Sequence, residues 1–157
     1  FFKDQLEIEH INALIRYASD LVSDELLKAD IIEEDLLKRE KNGSTVLTGK
    51  GIILLHCRTD GVQSLKFGVL RLSQNKPINY LNNGKEEKIN TALIMMAPID
   101  KNMRHLEVIS EISQNLIEGD NFVDTLVQGT NENIYKEINR ILNRFLNSKI
   151  NERQEDF

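Results

Sequence analysis

The sequence has few of the residues that cross-link, stiffen or anchor a protein. It holds one cysteine, two prolines and no tryptophan among 157 residues, and aromatic residues make up 6%. With Cys57 alone, no disulfide can form within the chain, which favours a reducing compartment. No apolar run approaches the roughly 18 residues of a membrane span, and no signal peptide is visible. We therefore expect a cytoplasmic protein that does not insert into a membrane.

An excess of basic residues is also missing. The 25 acidic residues outnumber the 20 basic ones, and the formal net charge is −5. Proteins that bind nucleic acid present clustered lysine and arginine to the phosphates, so we expect no direct nucleic-acid contact.

What the chain does have is an ordinary globular composition, with 40% hydrophobic and 29% charged residues. Its length is enough to bury the core of one compact domain. It begins with Phe1-Phe2 rather than methionine. We therefore expect residues 1–157 to form a single domain excised from a longer protein.

The spacing of apolar residues changes between helical and strand periods along the chain. A period of three to four predicts helices over 11–23, from about 32 to Asn42-Gly43, over 103–117, over 121–127 and from Thr130 onwards. Short apolar runs predict strands at 52–56, 65–72 and 89–97, with shorter candidates at 6–8, 44–47 and 77–80. Connections within 44–80 are too short for helical crossovers. We therefore predict a three-layer α/β fold, with a mixed central sheet of about five strands flanked by helices on both faces.

The stretch from Gly51 to Gly61 is the most informative part of the chain. Four bulky apolar residues, Ile52 to Leu55, lead directly to His56, and polar residues follow. A histidine that ends a buried strand lies at a sheet edge, where binding groups collect. The alternative is a histidine that merely completes the strand.

Two further residues are candidates for the same site. His105 is expected in the first turn of the helix over 103–117, where free amides and the helix dipole favour anions. Arg39 is expected at the end of the second helix, where its guanidinium could hold a phosphoryl oxygen. The alternatives are a partly buried core histidine and a cation that complements the helix dipole.

Motifs for metals and cofactors are missing from the sequence. His56 and Cys57 are adjacent on a strand, so their side chains point to opposite faces. There is no paired-cysteine or His-Glu-x-x-His pattern for zinc, no glycine-rich phosphate loop and no serine nucleophile elbow. We expect neither a metal nor a cofactor.

The ordered set of these segments resembles a known family. Arg39-Glu40, then Gly43-Ser44-Thr45, then Gly51 and the approach to His56 resemble the active-site region of EIIA domains of the bacterial sugar phosphotransferase system (PTS), of the mannitol/fructose type. The segment 105–113 resembles that family's second histidine segment. The likeness spans about 12–146.

The resemblance implies a role for each candidate residue. It implies that His56 accepts a phosphoryl group from the carrier HPr, that His105 stabilises the phosphoryl oxygens and that Arg39 neutralises their charge. In a complete transport system the group then passes to a cysteine of an EIIB domain. Such a domain would be a phosphohistidine phosphotransferase.

One departure from the family pattern changes the expected context. Family transporters usually read Gly-x-Ala-x-Pro-His, whereas here Ile53 and Leu55 replace the alanine and the proline. The form 54–59 is more similar to EIIA-like modules of mannitol-operon activators and BglG-related antiterminators. The leading hypothesis is thus a regulatory module that senses sugar transport by phosphorylation of His56 or by docking to EIIB, linked to the other domains of a transcription regulator. The alternatives are a stand-alone EIIA phosphocarrier and a non-catalytic module that binds EIIB.

Overall fold

A mixed β-sheet organises the first of two compact units, Phe1–Lys101 and Asn102–Phe157. The computed structural model describes residues 1–23, 28–82, 84–99 and 104–155, with side chains up to Asn151. The first unit contains β1 (Phe2–Leu6), α1 (Ile11–Val22), α2 (Ala29–Lys41), β2 (Val46–Leu47), β3 (Ile52–Arg58), β4 (Lys66–Leu72), β5 (Ile78–Asn82), β6 (Lys85–Ile89) and β7 (Thr91–Ala97). The second contains α3 (Arg104–Glu118), α4 (Asp120–Gln128) and α5 (Asn131–Glu155).

The main sheet has five strands in the order β1-β4-β7-β3-β2. β3 runs parallel to β7 and β1 runs parallel to β4, whereas β4 is antiparallel to β7 and β2 is antiparallel to β3. β5 and β6 form a separate antiparallel hairpin. The predicted α/β fold with a mixed sheet of about five strands is confirmed.

The core of the first unit joins α1 and α2 to alternate residues of the sheet. Because side chains of a strand alternate between its faces, every second residue of β3 enters this core. The buried cluster includes Leu14, Ile15, Ala18, Ile32, Leu36, Ile53, Leu55, Cys57, Leu70, Ile94 and Met96.

The second unit has three helices, each with an apolar face. Ile109, Ile112 and Leu116 are buried on α3. Phe122, Val123 and Leu126 are buried on α4, and Ile134 and Ile141 are buried on α5. No helix in the described part of the chain is long and apolar enough to cross a membrane.

Several strand boundaries differ from the sequence prediction, and β1 ends at Leu6, where the predicted strand 6–8 begins. β3 continues past His56 to Arg58, so His56 is not the last residue of its strand. The segment 89–97 is divided, since Ile89 ends β6 and a new strand, β7, begins at Thr91. Met103, with which the prediction began the third helix, lies outside the described residues. That residues 1–157 form one functional domain stays a prediction.

Candidate functional site

His56 lies near the end of β3 and is half-buried. The strand starts directly after Gly51, whose φ of +72° favours glycine. The ring nitrogen Nδ1 of His56 lies 3.3 Å from the carbonyl oxygen of Leu54. A carbonyl oxygen can only accept a hydrogen bond, so Nδ1 is the nitrogen that carries the proton. Nε2 of the neutral ring therefore keeps its lone pair.

The surroundings of His56 also favour the neutral ring. Burial lowers the pKa of His56 below its usual value, and the positive charge of Arg39 lowers it further. The carbonyl of Leu54 and the charge of Glu40 act in the opposite direction but do not cancel the effect. His56 is thus an uncharged imidazole near neutral pH, which is the nucleophilic form.

Arg39 and Glu40 come to this region from the last turn of α2. Basic residues in that turn complement the helix dipole, and the chain places Lys38, Arg39 and Lys41 there. The guanidinium Nη1 of Arg39 donates to the carbonyl oxygen of Gly43 at 3.3 Å. The predicted candidates Arg39 and His56 therefore belong to the same unit, and the charge of Arg39 acts on the His56 ring.

The carboxylate of Glu40 is held by two hydroxyl groups. Thr45 Oγ1 donates to one carboxylate oxygen, and Tyr80 Oη donates to the other at 3.1 Å. Glu40 and Thr45 belong to the family-like segments of the sequence, and no role for them follows from the sequence alone. Tyr80 is not marked in the sequence, because a tyrosine in a short strand has no feature that indicates its partner.

The second predicted histidine lies in the second unit. His105 is half-buried in the first turn of α3, as its position in the sequence predicted. Ile109 and Ile112, four and seven residues later on the same helix, are both buried. A common site of His56 and His105 stays a prediction.

The remaining reactive side chain near His56 is not placed for chemistry. Cys57 points into the core on the opposite face, with Sγ 3.4 Å from Sδ of Met96. Burial raises the pKa of its thiol to about 12, so the nucleophilic thiolate is scarce at neutral pH. Within residues 1–23, 28–82, 84–99 and 104–155, no group of three or more His, Cys, Asp or Glu side chains could hold a metal ion.

The two departures from the family pattern lie on the core side of β3. Ile53 and Leu55 are 0% and 1% exposed and belong to the cluster beneath α1 and α2. His56 lies between Leu55 and Cys57 on the strand, so its side chain points to the opposite face of the sheet. The substitutions therefore add apolar volume to the core. They also leave β3 without a proline to interrupt it, which agrees with its continuation to Arg58.

Comparisons with known proteins identify the family of the chain. A family model described as "Phosphoenolpyruvate-dependent sugar phosphotransferase system, EIIA 2" matches residues 1–141. A nitrogen regulatory protein of Pseudomonas aeruginosa is 31% identical over 109 residues, which cover 68% of this chain and 68% of that protein.

Solved structures share the fold at lower identity. The nitrogen regulatory protein IIA-Ntr of Neisseria meningitidis has a TM-score of 0.69 at 23% identity, over 87% of this chain and 90% of that one. IIA mannitol of Escherichia coli, solved in complex with phosphorylated IIB mannitol, has a TM-score of 0.54 at 17% identity, over 88% of this chain and 98% of that one. Since the family model spans both the segment of Arg39 and His56 and that of His105, this chain belongs to the EIIA type 2 family of the phosphoenolpyruvate-dependent sugar phosphotransferase system.

Proposed function

We propose that this protein is a regulatory EIIA domain whose state is set by reversible phosphorylation of His56. The observation that carries the proposal is the contact of Nδ1 with the carbonyl oxygen of Leu54 at 3.3 Å. This contact holds the proton on Nδ1 and leaves Nε2 as the nucleophile. The lowered pKa of His56 keeps the ring neutral at the pH at which it must react.

The proposed step is a transfer between two imidazole rings. The lone pair on Nε2 of His56 attacks the phosphorus of a phosphohistidine on HPr. A new N–P bond forms while the N–P bond of the donor breaks, and its electron pair stays on the donor nitrogen. His56 keeps its proton on Nδ1 and the donor ring keeps the proton on its other nitrogen, so no net proton transfer is needed.

Charge stabilisation is the other requirement of phosphoryl transfer. Arg39 is the proposed cation for the phosphoryl oxygens, and its charge already acts on the His56 ring. On the basis of the family resemblance, we further propose that His105 donates a hydrogen bond to those oxygens. Both groups would stabilise the charge without forming a covalent bond.

A regulatory role is favoured by the relatives of the chain. The Pseudomonas aeruginosa and Neisseria meningitidis proteins are both named as nitrogen regulatory proteins. A phosphoryl group adds a charge of about −1.5 to −2 at neutral pH, which changes local electrostatics and partner choice. Other domains of a transcription activator or antiterminator, or a docked EIIB protein, would respond to that change.

The direct test is labelling by the phosphotransferase chain. Incubation with enzyme I, HPr and labelled phosphoenolpyruvate should give an acid-labile phosphohistidine, and His56→Gln should abolish it. His10→Gln is the matched control, because His10 is exposed and precedes α1. A wild-type domain that stays unlabelled, while a known EIIA protein is labelled in parallel, would refute the proposed acceptor role.

A stand-alone phosphocarrier is the second candidate, and a specific observation favours it. The mannitol IIA neighbour was solved in complex with a phosphorylated IIB protein. A carrier should pass its label on to an EIIB cysteine within the time of a transport cycle, whereas a sensor should keep it. EIIB binding that is unchanged by His56→Gln, together with an absence of labelling, would instead identify a non-catalytic binding module.

A further inference from the structure

Tyr80 forms a contact with the candidate site that the proposed function does not use. Its hydroxyl, on β5, donates to Oε2 of Glu40 at 3.1 Å, while Thr45 donates to Oε1. Burial and the charge of Glu40 raise the pKa of Tyr80, so the hydroxyl keeps its proton and remains a donor. Both oxygens of Glu40 are therefore occupied by neutral donors.

The element that carries Tyr80 is firmly anchored. Ile78 and Ile89 pair across the β5–β6 hairpin, and they are 1% and 0% exposed in the core. Glu87, the cross-strand partner of Tyr80, accepts a hydrogen bond from the backbone N–H of Gly49 at 3.4 Å. The hairpin thus contacts the approach to β3 at one residue and the end of α2 at another.

Glu40 and His56 are each hydrogen-bonded to one of two neighbouring residues, Thr45 and Leu54, which are themselves paired. The carbonyl oxygen of Thr45 accepts from the backbone N–H of Leu54 at 3.1 Å. The carbonyl oxygen of Leu54 in turn accepts from Nδ1 of His56 at 3.3 Å. The charge of Glu40 also acts on the His56 ring.

We propose that Tyr80 is a positioning residue for the phosphoryl acceptor. Its hydroxyl holds the carboxylate of Glu40 in place and weakens the effect of that negative charge on His56. The proposal rests on the proposed function. A carboxylate near the acceptor repels an incoming phosphoryl dianion and favours the protonated ring, and both effects slow transfer. A phenol that donates to that carboxylate weakens both effects and prevents the carboxylate from rotating toward the ring.

The test removes the hydroxyl alone. Tyr80→Phe should slow labelling of His56 roughly threefold to tenfold, the size expected for the net loss of one typical hydrogen bond, because the lost bond acts on the acceptor only through Glu40. The titration midpoint of the His56 ring, followed by NMR, should move to higher pH, because the effective negative charge beside it increases. Tyr135→Phe, at an exposed tyrosine of α5, is the matched control and should change neither.

A double-mutant cycle separates positioning from a general structural role. Glu40→Gln removes the charge, and in that background Tyr80→Phe should leave the His56 midpoint unchanged. If Tyr80→Phe matches the wild type in midpoint and rate, or shifts the midpoint equally with Gln at residue 40, the inference is overturned and the acceptor role is unaffected. If the wild type is never labelled but the midpoint shift depends on Glu40, the coupling stands and the proposed acceptor function fails.

Discussion

The imidazole of His56 is controlled by contacts that act on different parts of the ring. The carbonyl of Leu54 determines which nitrogen carries the proton, while burial and Arg39 disfavour a second proton. The same arginine charge that lowers the pKa of the ring would attract an anionic phosphoryl group. One cation can therefore serve the acceptor both before and during the proposed transfer.

At the scale of the residue, the lowered pKa of His56 has a consequence for stability. Its folded value lies below the ordinary 6.5 of an unfolded histidine. Well above pH 6.5 the His56 ring is neutral in both the folded and the unfolded protein. Below pH 6.5 the unfolded protein binds the proton more readily than the folded protein does. The wild type should therefore lose stability relative to His56→Gln as the pH falls from about 7.5 to about 5.

Urea unfolding of the two proteins across that range measures this difference. Groups that titrate in both proteins cancel when the free energies are subtracted, so the comparison isolates His56. A difference that stays constant over the range, or that grows in favour of the wild type at low pH, would contradict the burial of this ring.

At the scale of the element, the side chains of β3 alternate between the two faces of the sheet. The residues that stabilise the core therefore lie on one face, and the candidate reactive residue lies on the other. Ile53, Leu55 and Cys57 face the core with α1 and α2, and His56 faces the other way. Replacing the family's alanine and proline by Ile53 and Leu55 therefore changes packing beneath the sheet. The proposed acceptor can stay in place while Ile53 and Leu55 fill the core beneath it.

Restoring the family residue at one of these positions should consequently destabilise the protein. Ile53→Ala removes a fully buried side chain and leaves a cavity, which costs about 2–4 kcal/mol. Chemical denaturation measures the loss, with Ile31→Ala as the control, because Ile31 is 41% exposed on α2. At a temperature where the variant is still folded, labelling of His56 should continue. A variant as stable as the wild type would show that this core is not packed around Ile53.

The sequence predicts best those elements in which apolar residues recur with a regular spacing, because that spacing determines which face packs against the core. The helices over 11–22 and 104–118 have strong apolar faces, and their ends fall close to the predicted ones. β6 was missed because Lys85 to Lys88 contains no apolar residue, and its strand depends on pairing with β5. The sequence predicts too early an end for β3, because polar residues follow His56, whereas the ladder to β7 continues to Arg58 and Ala97.

At the scale of the whole molecule, the sequence located segments but not the contacts between them. Arg39 and His56 were predicted as candidates, and they lie in the same unit, where the positive charge of Arg39 helps to lower the pKa of His56. The hydrogen bond of Tyr80 to Glu40 joins residues 40 positions apart, and no local pattern encodes such a pairing. The candidate His105 came from its place at a helix start and from the family resemblance, and its role requires an experiment.

The predicted role of His105 can be tested by substitution, because a phosphoryl-stabilising role and a packing role predict different labelling rates for His105→Gln. If it donates a hydrogen bond to the phosphoryl group on His56, His105→Gln should slow labelling at least roughly tenfold, since a donor to a developing charge is lost. The label should still be found on His56, and the phosphorylated variant should hydrolyse at a changed rate. His10→Gln should match the wild type in both measurements. Unchanged kinetics in His105→Gln would confine the phosphoryl chemistry to the residues around β3 and the end of α2, and would leave His105 as a helix residue with a packing role.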